Sequence, residues 1–139
     1  MKFLSKLIIC VAVAMACLTS CSRNSSAIQA MVDELNSPTF RAMEAKTGLF
    51  DDSKAEIDGD MLVITFLCRP WITLSGISQE QMPQLQASTL AEFRDKLADE
   101  NFRKGIEALA EEHMAIKMVW QDVNGKSIDI KVDPAEVLK

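Results

Sequence analysis

The amino-acid sequence predicts an α+β fold: two layers, an antiparallel sheet of about four strands packed on helices, in the order α-α-β-β-α-α-β-β. Three observations carry that prediction. Two stretches, around residues 54–68 and 114–132, alternate apolar and polar residues about turn residues. Two others, 28–46 and 85–109, repeat apolar residues at helical spacing. The helical stretches come before and between the strand pairs, so each hairpin has helices at hand to bury its apolar face.

The elements follow in order. Ser26 is placed to cap a helix that aligns Ile28, Met31, Val32 and Leu35 on one face. Asn36 ends it, and Ser37 caps a second helix with Pro38 at its first position. That helix runs through Lys46 with Phe40 and Met43 inward, and Gly48 stands at its C′ position. Lys54–Ile57 then alternates up to Asp58-Gly59-Asp60, a turn. Met61–Cys68 follows, rich in β-branched and aromatic residues. Turn placement at Asp58-Gly59 or at Gly59-Asp60 puts Ala55 and Ile57 on the face of Leu62, Ile64 and Phe66. Met61, Val63 and Leu67 lie on the other face, which predicts a central strand covered on much of both sides. Pro70 interrupts it, and Trp71-Ile72-Thr73-Leu74 resumes as an edge segment.

Ser78 with Gln81 forms a capping box, or Pro83 marks the first turn of the next helix; the spacing fits both. Leu85, Leu90, Phe93 and Leu97 then share a face. The spacing slips near 98–101, where Asp99 or Asn101 caps a further helix with Phe102, Ile106 and Leu109 inward. The last hairpin is the most constrained. Met114, Ile116, Met118 and Trp120 must face the same way as Ile128, Ile130 and Val132. An Asn124-Gly125 turn would mix the faces. A bulged Val123-Asn124-Gly125 loop pairs Trp120 with Ile128, Met118 with Ile130 and Ile116 with Val132, and sets Asp122 opposite Lys126.

The first twenty residues stand apart from this domain. Lys2 and Lys6 precede an apolar run from Leu7 to Leu18, which rises about 18 Å as a helix and so falls short of a ~30 Å hydrocarbon core. Basic residues before a short apolar run mark an export signal. Leu18-Thr19-Ser20-Cys21 resembles the lipobox of bacterial lipoproteins. The resemblance implies cleavage before Cys21 and lipidation of its thiol, with fatty-acyl chains of the palmitate kind tying the protein to a membrane of the cell envelope. The expected organisation is therefore a signal peptide over 1–20, the lipidated Cys and a short tether over 21–26, and a single domain over 27–139. In the sorting rule of enteric lipoproteins, Ser22 in place of an Asp implies the outer membrane, facing the periplasm. Behind the lipobox, the α+β layout resembles small uncharacterised bacterial lipoprotein domains. The residues that carry the likeness are Asp58-Gly59 before Leu62-Val63-Ile64-Thr65, the Phe93 helix, and Asp122–Gly125. No activity follows from it.

Cleavage would leave 119 residues with 13 basic and 20 acidic side chains, a formal −7. That sign disfavours nucleic acid as a partner. Cys10 and Cys17 would depart with the signal and Cys21 would carry lipid, leaving Cys68 with no disulfide partner.

Candidate chemistry is sparse. His113, the single histidine, sits at a predicted helix end beside Glu111 and Glu112, where a cation is favoured in any case. One His and one Cys are too few for a structural zinc site, and no metal or cofactor is expected. Cys68 closes an apolar strand and reads as a small buried hydrophobe. Asp51-Asp52 and Asp58-Gly59-Asp60 lack the spacing of a calcium loop and read as turn chemistry. Arg69, Trp71, Ile72 and Leu74 form the strongest interaction candidate, presented by Pro70 at a strand break. The competing reading makes the same segment a crossover whose Trp71 and Ile72 cover the core. The expected role is a non-enzymatic accessory or binding module near the membrane, with an envelope protein as partner. The alternatives are a small hydrolase using His113 with a carboxylate partner, and a purely structural envelope protein.

Overall fold

The computed structural model describes residues 24–48 and 50–139, so the expected export signal, Cys21, Ser22 and Arg23 lie outside the described residues. The fold is α+β, with a four-stranded sheet in the spatial order β1-β2-β3-β4. Helix α1 spans Asn24–Leu35 and α2 spans Pro38–Thr47; β1 is Phe50–Asp58 and β2 Met61–Cys68. After a 3-10 turn at Gln79–Gln81 come α3 (Met82–Lys96) and α4 (Glu100–Glu111), then β3 (Ala115–Gln121), β4 (Ser127–Val132) and a short α5 (Pro134–Val137).

Most elements form for the reasons read above, and a few differ. Helix α1 starts at Asn24, so Ser26 lies inside it rather than capping it, and Asn24–Ser26 belong to the helix rather than to a tether. Gly48 after α2 has φ +72°, the left-handed conformation of a C′ residue. The first hairpin turns on Gly59-Asp60, with Asp58 opposite Met61 and Gly59 at φ +62°. Both candidate signals before α3 are used: Gln81 Oε1 accepts from Ser78 N at 2.9 Å in the 3-10 turn, and Pro83 lies in the first turn of the α-helix. At α4, Asp99 is the cap; its Oδ1 accepts from Phe102 N at 3.1 Å. The last hairpin adopts the bulged loop, pairing Trp120 with Ile128, Met118 with Ile130 and Ile116 with Val132, with Gly125 at φ +85°.

Three expectations are corrected. The sheet is mixed, not antiparallel throughout, because β2 and β3 pair in parallel from Met61↔Ala115 to Leu67↔Gln121. Helix α3, about 22 Å long, returns the chain along the sheet unaided. Its side chains follow the β4 side from Gln86, which donates to Lys131 O, to Arg94, which donates to Glu136 O at 2.9 Å. Helix α4 packs on α1 and α5 instead of running back up the sheet, so β3 starts at the same end as β2. Residues 71–74 form no strand. Finally, β2 is central, yet full burial is confined to one of its faces: Met61, Val63 and Thr65 on the other are only half-buried and Leu67 is 42% exposed.

The covered face is closely packed. Leu62, Ile64, Phe66, Ile116, Met118, Trp120 and Ile130 are fully buried against Phe93, Phe102, Ile106 and Leu109 from the helices. Phe66 bridges two strands, lying 4.9 Å from the Phe50 ring and stacked at 5.9 Å on Trp120. Gly105 lets α1 approach α4, since a Cβ there would meet Met31 Cε at 3.3 Å.

Both sheet edges are engaged by side chains. Asn36 donates from Nδ2 to Ala55 O at 2.9 Å and accepts from Ala55 N at 2.8 Å, so its amide pairs with the free edge of β1 as a strand residue would. Gln86 does half of this on β4. Capped edges discourage strand addition by another chain.

The one-sided burial gives a direct test. Ile64→Ala should cost about 2–5 kcal/mol in urea unfolding. Val63→Ala, one residue away on the open face, should cost about 1 kcal/mol or less. Equal losses would contradict burial on one face.

Candidate functional site

The segment between β2 and α3 holds the predicted interaction residues, and the structure divides them. Trp71 is 68% exposed, the most exposed of the large apolar side chains described. Ile72 is half-buried and packs against the core, and Leu74 is fully buried. Leu74 therefore leaves the candidate surface, because its side chain plugs the core beneath the crossover.

Trp71 sits on a tight turn fixed at both ends. The turn is closed by Ile72 N donating to Arg69 O at 2.9 Å. On its upstream side, the Arg69 guanidinium lies 5.4 Å from the centre of the Trp71 ring, a cation–π contact. The same side chain donates from Nε to Phe50 O at 3.2 Å and lies 3.8 Å from the Asp51 carboxylate. On the downstream side, Leu74 N donates to Asp122 Oδ2 at 2.8 Å. An exposed indole held in this way loses little conformational freedom when it meets a partner.

Asp122 is the anchor of this end of the sheet. Its Oδ2 takes Leu74 N, while Oδ1 takes Asn124 N at 2.9 Å and Lys126 N at 3.0 Å within the bulged loop. Lys126 reaches back to the crossover, donating from Nζ to Ile77 O at 3.2 Å. The hydrogen bond from Leu74 N, with those from the loop and the nearby Lys126 charge, holds the Asp122 carboxyl below its ordinary value against the opposing effect of burial. Cys68 lies buried at the end of β2, and burial, with the Asp122 charge, pushes its thiol up to about 11. A protonated, buried thiol is a poor nucleophile.

His113 lies at the opposite end. It is the C′ residue of α4, with φ +55°, and is the only non-glycine residue of positive φ among those described. Met114 N donates to Leu109 O at 2.9 Å and His113 N to Ala110 O at 3.1 Å, the paired bonds of a Schellman ending. Its exposed side chain borders an open pocket of about 320 Å³ that Met114, Lys131 and Asp133 also line. Asp133 Oδ1 accepts from Ala135 N at 3.0 Å and caps α5. Among the described residues the His113 side chain makes no hydrogen bond. The aspartates read as turn residues belong to β1 and its hairpin, where Asp51 faces Arg69 and Asp52 lies 3.7 Å from Arg41.

Comparison with known proteins adds nothing to this geometry: no family model matches the chain, and no curated protein or solved structure matches it. Among the described residues no helix is long and apolar enough to cross a membrane.

Sequence reasoning found Arg69 and Trp71 but missed what positions them. The Asp122–Leu74 bond joins residues 48 apart, and the Asn36–Ala55 pair joins residues 19 apart, so neither has a local signal. The Asp122-Val123-Asn124-Gly125 run announced a turn, and only its second role was hidden.

Two outcomes are expected. Asp122→Asn keeps one carbonyl acceptor and turns an amide donor toward backbone N–H groups, so its melting temperature should fall by several degrees at pH 7. Because folding lowers the Asp122 pKa, its stabilising share is complete above the ordinary aspartate value near ~3.9 and fades as pH falls through the folded value. The gap between wild type and variant should therefore shrink below about pH 4. His113→Gly should raise stability by about 1 kcal/mol, the cost of left-handed backbone in a residue with a Cβ. A loss of stability instead would mean that the imidazole itself supports the fold.

Proposed function

We propose that this chain is a lipid-anchored, non-enzymatic binding module of the bacterial cell envelope that engages a protein partner through Arg69 and Trp71. The observation that carries the reading is the Trp71 indole, 68% exposed, lying against the Arg69 guanidinium on a segment whose downstream end is pinned by Leu74 N on Asp122. Trp and Arg are the residues most often found at the energetic centre of protein interfaces. The Leu7–Leu18 apolar run before the Leu18-Thr19-Ser20-Cys21 lipobox supports the anchor and an envelope location facing the periplasm. Helix α1 begins at Asn24, close behind Cys21, which would hold the domain near the bilayer surface.

In-cell photo-crosslinking tests the proposal, with the probe at exposed Thr73. A discrete partner adduct is expected, and Trp71→Ala should reduce it about tenfold or more, a hot-spot loss of about 2 kcal/mol. Folding stability should change by less than about 1 kcal/mol, the scale of an exposed cation–π contact. Metabolic labelling with palmitate should mark the chain and vanish in Cys21→Ala. Unchanged adduct yield in Trp71→Ala would discard the surface, and unlabelled wild type would discard the anchor.

A further inference from the structure

The open face of the sheet presents an ordered pattern of charge. Register aligns Glu56, Val63, Lys117 and Lys131 in one row across the four strands. The next row holds Lys54, Thr65, Val119 and Asp129. Each row therefore has apolar or neutral centre positions, with one exception, and charged ends of opposite sign. The exception is Lys117, which stands directly opposite Lys131 on the neighbouring strand. Like charges in that position repel, and among the described residues Lys117, Lys131 and Asp129 make no ion pair.

We infer that this face pairs with the same face of a second copy of the chain, about a two-fold axis parallel to the strands. Such an axis lays β1 over β4 of the second copy and β2 over β3. It brings Glu56 to Lys131 and Lys54 to Asp129, and by symmetry Lys131 to Glu56 and Asp129 to Lys54. Thr65 then faces Val119 across the centre, and Val63 faces the aliphatic stem of Lys117, at the ~10 Å spacing of stacked sheets. The carboxylate over Lys131 relieves its repulsion from Lys117. Sliding the copies by one side-chain repeat destroys the match: Glu56 then meets Asp129 or Asp133, and Lys54 meets Ser127 or Lys131. An axis perpendicular to the strands would instead stack β1 on β1. There Lys54 meets Glu56, already its partner at 3.7 Å within one copy, and Asp52 meets Asp58, two acids face to face. Aligned sheets cross at about 30°, which displaces the outer strands by roughly one residue, within the span of a lysine side chain.

The capped edges support the face rather than the edge as the contact. Asn36 and Gln86 already occupy backbone groups of β1 and β4, so a second copy gains little by extending the sheet. The size of the face sets the strength. Four strands at ~4.8 Å spacing and about eight residues of length offer roughly 500 Å² of projected area per copy, at the lower end for a specific dimer. A reversible, concentration-dependent dimer is the expected form.

A zero-length carbodiimide tests this on the full chain in membrane and soluble fractions of expressing cells. Strands β1 and β4 lie about 14 Å apart within one copy, so a direct Glu56–Lys131 bond reports contact between two copies. The expected result is a covalent dimer whose digest contains that bond. Glu56→Lys or Lys131→Glu alone removes one reactant of that bond, so the report passes to the Lys54–Asp129 bond one row away. Like-charge contact at 56 and 131 should cut that bond more than about tenfold, and the double exchange should restore both bonds. Should either variant fail to fold, Lys54→Glu with Asp129→Lys applies the same exchange one row away. Absence of a dimer, bonds mapping to other residues, or a double exchange that stays monomeric would overturn the inference.

Discussion

The Asp122 carboxylate is the constraint on which the upper end of the molecule depends. Leu74 is fully buried under the crossover from β2 to α3, and its backbone N–H needs an acceptor there. An unsatisfied buried donor costs about 1–3 kcal/mol. Asp122 supplies the acceptor from the far side of a parallel strand pair while its other oxygen shapes the bulged loop of the last hairpin. One side chain thus sets the β3–β4 turn, closes the crossover and fixes the downstream end of the Trp71 turn. The exposed indole lies between the Arg69 and Leu74 anchors, on the turn that Ile72 N closes by donating to Arg69 O.

A second constraint is the one-sided layering. Side chains from the helices bury one face, where Phe66 and Trp120 join the two central strands into one aromatic seam. The other face keeps an apolar centre in Val63 and Val119 without burying it in the described residues. The edges show the complementary economy, since Asn36 imitates a neighbouring strand at β1 and removes the site where another chain would otherwise add. Blocked edges and an open, charge-patterned face make stacking, rather than strand addition, the natural mode of contact.

Local patterns were legible where the residues alone limited the alternatives. The last hairpin is the clearest case: alternation on both strands left one loop length that kept Trp120, Met118 and Ile116 on a common face with Ile128, Ile130 and Val132. Gly48 was readable for the same reason, since it answers to a backbone requirement a few residues away. The cap at Asp99 or Asn101 and the turn at Asp58-Gly59 or Gly59-Asp60 were narrowed to two choices that the structure decided. Ser26 failed because helix α1 extends past it, and Leu74 failed because an apolar residue beside an exposed Trp has the same sequence signature whether it faces in or out.

The sequence by itself therefore determined the α+β class, the strand count, the register of the last hairpin and the lone status of Cys68 after residue 26. It also placed Arg69 and Trp71 together as candidates. Only the tertiary structure decided that β2 and β3 run parallel, that helices cover one face, and that Trp71 is exposed while Leu74 is not. The reason is range. Periodicity and turn chemistry act over a few residues, whereas the path of α3 along the sheet and the reach of Asp122 to Leu74 depend on groups brought together only after the layers have packed.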